Sequence, residues 1–403
     1  MRNILFHYKK RIWIIYIFFI ILSISFIFAD FERKSISAKA EMDKATEAEL
    51  EENIREQLGQ LELEELEKYV ESISSFSNKG VMERIIDYIK GEKFDYDGFG
   101  KQILGVFFSK VEEILPAFLC IAAIAVLSGL ISSIKSQALF NTSTDLISLI
   151  TYTATLIPLI AVLIECFSQT KASILEMEKQ IKIVFPLLLT LMAASGSTAT
   201  AAICRPAVAF FGSTIVSIIV TIVLPITVTI IVFSMASHLT KELKIGKFTA
   251  FFKSINKWII GISITVFGLF FTLQGLTAAH SDGIVRRAVK YAIGNGIPIV
   301  GGFLSGGFDL AVAGSVLIKN ALGSMSIFLM ISVAFEPLIL LIAVNVLLRL
   351  TAAISQPLGD GKVADFLSET AENLNYCTAS LLFTAFLYFL TIVLMITASE
   401  ALF

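Results

Sequence analysis

Few side chains in this sequence could do chemistry, and those that could interrupt long apolar runs. Glu336 stands immediately before Pro337 in one such run, and Asn345 and Arg349 follow in it, four residues apart and so on one helical face. Asp309 sits among the glycines Gly301, Gly302, Gly306 and Gly307. Ionisable groups in a low dielectric are costly, so they mark ion or proton sites or partner contacts. Glu336 is the sharpest case. The proline after it frees a carbonyl, and no cation lies nearby in sequence. A carboxylate there is expected to face a bundle interior or a protein partner. Arg349, and Arg205 beside Pro206, read as interfacial cations whose heads reach lipid headgroups.

The remaining reactive residues form no catalytic pattern. Cys120, Cys166, Cys204 and Cys377 lie in or beside apolar runs without metal-ligand spacing, and His7, His238 and His280 are isolated. Gly359-Asp360-Gly361-Lys362 lacks the upstream glycine and the Ser/Thr of a phosphate-binding loop, and no HExxH, GxSxG or dinucleotide fingerprint occurs. No catalytic, cofactor-binding or metal residue is assigned, and the chain is read as not an enzyme. Energy for any transport must come from a gradient or another subunit.

The elements that position these residues follow from composition. The 403 residues are 56% hydrophobic and 16% charged, against about 25% charged in soluble domains. Net charge is −2. That balance excludes a disordered chain, a basic nucleic-acid binder and an ordinary cytosolic enzyme. Charge is unevenly placed: residues 30–101 hold 19 Asp+Glu and 11 Lys+Arg, a net of −8, whereas residues 102–403 carry 15 acids and 17 bases spread thinly. Three parts result: a signal peptide or first anchor over 1–29, an acidic helical extracytoplasmic region over 30–101, and a multi-spanning membrane domain over 102–403.

Arg2, Lys9, Lys10 and Arg11 precede an apolar run from Ile12 to Ala29, the pattern of a secretory signal. Cleavage fits after Ala29 or after Ala40; an uncleaved anchor is the other reading. Either way the acidic region lies outside the cytoplasm. Within it, Leu50, Ile54, Leu58 and Leu61 recur at helical spacing, with a second short helix near Val81–Ile89. The region is read as a cap on its own membrane domain, or as a docking surface for an extracytoplasmic protein.

Spans of about 20 apolar residues fall near Leu115–Ile134, Leu146–Phe167, Phe210–Ser237, Trp258–Ala279, Met325–Ile354 and Tyr376–Ala398. Two more stretches, Ile183–Cys204 and Ile297–Ile318, are rich in small residues and read as tightly packed inner helices or re-entrant hairpins. The total is about six to eight spans in an all-α polytopic bundle. A shift of 112 residues lays Leu146–Phe167 on Trp258–Ala279, Pro186 on Pro298 and Pro225 on Pro337, which suits an internal repeat of a kind found in transporters. Loop charge conflicts: the lysine-bearing connector His238–Lys257 and the group Arg286, Arg287 and Lys290 both prefer the cytoplasm, with one crossing between them. Pro357–Tyr376 reads as an amphipathic helix on the membrane surface, packed on the bundle.

Several blocks together resemble the stage III sporulation protein AE family of endospore-forming Firmicutes. They are Ser281-Asp282-Gly283-Ile284, Tyr291-Ala292-Ile293-Gly294-Asn295, Pro298-Ile299-Val300-Gly301-Gly302, Leu317-Ile318-Lys319-Asn320-Ala321-Leu322-Gly323 and Gln356-Pro357-Leu358-Gly359-Asp360. Lys90-Gly91-Glu92 and Phe94-Asp95 add to them. The resemblance implies a mother-cell protein in the membrane around the forespore. It implies membership of a channel, or feeding-tube, complex with an ATPase and ring-forming proteins, and an indirect forespore-side partner. The lipid bilayer is the other expected partner, with no nucleic acid. The rival readings are a self-sufficient secondary transporter with inverted or parallel repeats, using Glu336 and Asp309, and a non-conducting scaffold. The glycine-rich segment Gly294–Gly314 is the expected close-packed or pore-proximal element.

Overall fold

Apolar residues at helical spacing decide the first three helices. Leu50, Ile54 and Leu58 line one face of α1 (Lys44–Gln60), and all three are buried. α2 (Glu64–Glu71) has Glu64, Glu65 and Glu67 in its first turn and Lys68 in its last, matching the helix dipole, and it buries Leu66 and Val70. α3 (Val81–Lys90) buries Val81, Ile85 and Ile86. These elements come from a computed structural model that describes residues 44–71, 80–90, 96–135, 141–239, 245–270, 301–358 and 361–397. The segment 1–29, the family blocks between 281 and 300, and the cations Arg286, Arg287 and Lys290 lie outside the described residues.

The later helices are long. α4 (Tyr96–Lys135) contains Pro116, and α5 (Asn141–Ala194) contains Pro158 and Pro186. α6 (Thr198–Ile218) passes through a π-helical turn, Ile219–Val223, into α7 (Leu224–Leu239). The wider turn sits just before Pro225, which brings no N–H and whose ring would crowd an ordinary helical turn. α8 occupies Gly246–Phe270, α9 Gly301–Leu358 and α10 Gly361–Thr397. No strand occurs among the described residues. Among the described residues, five helical segments are long and apolar enough to cross a membrane, on α5, α6–α7, α8, α9 and α10. The expected all-α polytopic bundle is what the chain forms, and the sixth expected span, Leu115–Ile134, lies on α4.

Side-chain bonds fix the directions. Tyr152 Oη donates to Met235 O at 2.7 Å and Ser213 Oγ to Glu178 Oε1 at 3.3 Å, so α6–α7 descends beside the rising α5. Asn256 Nδ2 donates to Thr227 Oγ1 at 2.9 Å, and Phe252 packs on Phe233, so α8 rises beside α7. α9 descends, with Ser173 Oγ donating to Val333 O (2.8 Å) and Gln180 Nε2 to Ser326 O (3.2 Å). α10 rises against α9, the pair forming the centre of the bundle. Each half of the suggested repeat is therefore a rising helix followed by a descending, proline-bearing one. The two halves run the same way, which fits a parallel repeat and not an inverted one.

Three stretches left open by the sequence take a definite form. Ile183–Cys204 is the tip of the α5–α6 hairpin: Gly196 turns the chain at φ 86°, with Ser197 N bonded to Met192 O and Gly196 N to Ala193 O. That pattern closes a helix through a left-handed glycine, which the run of small residues makes cheap. From Gly301 the glycine-rich segment is the first part of α9, continuous with the span that follows. Pro357–Tyr376 packs on the bundle as expected, though not as a helix of its own. From Gly361 it is the start of α10, whose Val363, Phe366, Leu367 and Leu374 are wholly buried; one apolar face was enough to seat it inside the bundle.

α5 and α9, at 54 and 58 residues, would extend about 81 and 87 Å, far more than the roughly 30 Å hydrocarbon core. Outward apolar residues such as Leu149, Ile157 and Ile164 on α5, Trp258 and Leu269 on α8, and Ile342, Val346 and Leu350 on α9 give a lipid-suited belt along one part. Beyond it α5 exposes Lys171, Glu176, Lys179 and Lys182, and there α1–α3 wrap the bundle.

Candidate functional site

The cap is fastened to α9 by polar groups around a glycine. Gln57 Nε2 donates to Ala311 O at 2.9 Å and to Asn53 Oδ1 at 2.6 Å, and Ser315 Oγ donates to Gln57 Oε1 at 2.9 Å. A Cβ on Gly314 would stand 2.9 Å from Asn53 Oδ1, so a larger residue there would push the Asn53 and Gln57 side chains aside. Tyr88 on α3 pairs with Ser324 (3.0 Å), and the Lys179 ammonium lies over the Tyr69 ring at 5.4 Å. The last glycine of the glycine-rich element, Gly314, therefore lies against the chain's own cap. Gly301, Gly302, Gly306, Gly307 and Asp309 fall in the first turns of α9, and their side-chain surroundings lie outside the described residues.

The carboxylate without a local cation finds one across the bundle. Lys110 Nζ on α4 lies 2.9 Å from Glu336 Oε1 and 3.2 Å from Glu113 Oε2. Burial alone would lower the lysine's pKa, but hydrogen bonds and charges from Glu336 and Glu113 outweigh it and raise it above the ordinary value. Glu336 is 56% exposed, so this is a rim ion pair and not an interior one. Glu336 and Asp309 are on one unbroken helix, 27 residues or about 40 Å apart, and do not share a site.

Asn345 and Arg349 do come together. Arg349 Nε donates to Asn345 Oδ1 at 2.8 Å, and Asn345 Nδ2 donates to Ala371 O (2.7 Å) and Asn375 Oδ1 (3.1 Å) on α10. Arg349, read from sequence as reaching for headgroups, is instead half-buried and held by this network. Arg205 lines a groove of about 700 Å³ between α5 and α6, with Lys182, Phe185, Pro186 and Ala201.

Other functional candidates were not apparent in the sequence. His238, isolated along the chain, lies 3.9 Å from Glu369 Oε2, with Lys253 Nζ 2.9 Å from Glu369 Oε1. The three come from α7, α8 and α10, and only folding joins them. Lys319 is fully buried, its Nζ donating to Ile396 O at 2.6 Å near the end of α10, where backbone carbonyls need donors. Next to it, a Cβ on Gly323 would collide with Ile396. A sequence signal existed for Lys319: a cation in an apolar run too far from either end to reach water.

A long-helix bundle with an acidic helical cap and polar groups buried between spans defines a polytopic, all-α membrane protein. A family model described as stage III sporulation protein AE matches residues 81–399, and the chain belongs to that family, a family of sporulation membrane proteins. Stage III sporulation protein AE of Bacillus subtilis (strain 168) is 31% identical over 217 residues, which are 54% of this chain and 54% of that protein. The match thus spans about half the length of that curated relative. No solved structure matches the chain. The family range begins at α3 and takes in every membrane helix described, while α1 and α2 precede it.

Proposed function

We propose that this chain is the multi-pass membrane component of the channel complex that links mother cell and forespore and sustains late forespore gene expression. The family match over residues 81–399 carries this reading, because cap helix α3 and the bundle it closes fall within one family unit. On this reading residues 1–29 are a signal peptide or first anchor, residues 30–101 face the space between the two membranes, and residues 102–403 sit in the mother-cell membrane. Support for that orientation comes from charge. The acidic cap and the lysine-bearing connector His238–Lys257 lie at opposite ends, about 50 Å apart along α9, and positive loops prefer the cytoplasm. The cap would then meet the ring-forming proteins, the connector end the ATPase, and the forespore-side partner only indirectly.

Affinity purification from sporulating cells tests this. The other members of the complex should co-purify with the chain, and deleting it should silence a late forespore reporter. Recovery of the chain alone, with the reporter unaffected by deletion, overturns the proposal. Solute flux through liposomes holding the purified chain alone would favour a self-sufficient transporter instead. The paired state of Glu336, remote from Asp309, speaks against the version in which those two share an ion. Cysteine labelling from water along residues 301–314 separates a conducting element from a scaffold.

A further inference from the structure

Three helices turn polar faces toward one another at the end of the bundle remote from the cap. α7 contributes Thr227, Ser234 and His238, α8 Lys253 and Asn256, and α10 Glu369, Thr370 and Asn373. The Lys253–Glu369 pair and the Asn256–Thr227 hydrogen bond tie the three together. α8 and α10 both rise, so Asn256 and Asn373, three and four residues past that ion pair, come level about one turn deeper. Exposure falls steeply over this turn. The side chains of His238, Lys253 and Glu369 are 20%, 24% and 28% exposed. Asn256, Thr370 and Asn373 are 0%, 0% and 1% exposed.

Those deeper groups are not satisfied by the protein. Asn256 Oδ1, Thr370 Oγ1 and both amide atoms of Asn373 have no hydrogen-bond partner among the described residues. Buried polar atoms are almost always hydrogen-bonded, so several orphans at one level point to a ligand. Its chemistry follows from theirs. The orphans include a donor and several acceptors, so the ligand must both give and take hydrogen bonds. The Lys253 ammonium already neutralises Glu369, and a further cation would leave an unbalanced positive charge in a low dielectric. Water meets both conditions.

We propose that this layer is a hydrated site: a small cluster of ordered water on Asn256, Thr370 and Asn373, continuous with bulk water past His238, Lys253 and Glu369. It gives the bundle a wet pocket between α7, α8 and α10, away from the glycine-rich start of α9. The inference does not rest on the channel reading, since a scaffold or a transporter would be hydrated here equally.

Hydroxyl-radical footprinting of the full chain in lipid nanodiscs tests it without mutation, because radicals form where water is. Phe366 shares the face of Thr370 and Asn373, and its ring packs on His238 and Tyr152. Phe118 on α4, buried to a similar degree beside Ile114 and Ile121, is the apolar control. Phe366 should be oxidised several-fold faster than Phe118; equal rates overturn the proposal. In a background lacking Cys120, Cys166, Cys204 and Cys377, Thr370→Cys and Asn373→Cys should react with a small cationic thiosulfonate, while Leu374→Cys, buried among apolar residues, should not. Silence at all three positions, or equal labelling at all three, also overturns it. Variants that fail to fold leave the footprinting comparison decisive.

Discussion

Where α1 meets α9, Gln57, Asn53 and Ser315 are drawn together around Gly314 and bonded to one another. At the far end of the same bundle, Asn256, Thr370 and Asn373 are buried more deeply, and Asn256 Oδ1, Thr370 Oγ1 and both amide atoms of Asn373 lack partners among the described residues. The first joint is closed: Gln57 is bonded on both its amide atoms by the chain, and its glycine leaves room for the Asn53 and Gln57 side chains. The second keeps polarity inside a membrane bundle that apolar residues would fill more cheaply. Comparing them separates polarity used to fasten from polarity kept for something else, since locally inconsistent residues tend to mark function. Gly323 and Lys319, between α9 and α10, belong to the fastening kind.

The contrast can be broken most severely at the fastening end. Gly323→Val drives a branched side chain into Ile396 and should cost about 3 kcal/mol, the upper range for overpacking, read as a fall in melting temperature in detergent. At the far end, Glu369→Gln leaves Lys253 without its carboxylate in a partly buried site. A loss of about 2 kcal/mol is expected, and Lys253→Met in the same chain should recover much of it if the cost is the stranded charge. Gln57→Ala removes three hydrogen bonds of the cap and should weaken its docking by about 1–2 kcal/mol, seen as faster amide exchange in α1 with α10 unchanged. Glu336→Gln should matter least, changing stability by under about 1 kcal/mol, because the carboxylate is more than half exposed. A large loss there would move Glu336 from the rim into the class of interior charges and redraw the comparison.

Much of the architecture was legible in advance because hydrophobic length and periodicity are local properties. Leu50, Ile54 and Leu58 announced the buried face of α1, and five of the six expected spans fall on the helices able, among the described residues, to cross a membrane. Helix continuity was less legible. The segment after Pro357 looked separate because charges interrupt hydropathy, but from Gly361 backbone hydrogen bonding carries one helix through them when neighbours cover it, whereas the small residues of 183–204 do end a helix, at Gly196. The candidate sites divide in the same way. Asn345 and Arg349 could be paired in advance, being four residues apart on one helix.

By itself, then, the amino-acid order determined that this is a polytopic helical protein with an acidic helical front, and it carried the blocks that place it in its family. Tertiary structure alone decided that Lys110 answers Glu336, that His238, Lys253 and Glu369 meet, and that Gly314 receives the cap. The reason is physical. Burial and helix formation depend on a residue and its near neighbours, whereas an ion pair or a close backbone approach depends on how helices far apart in sequence are set side by side.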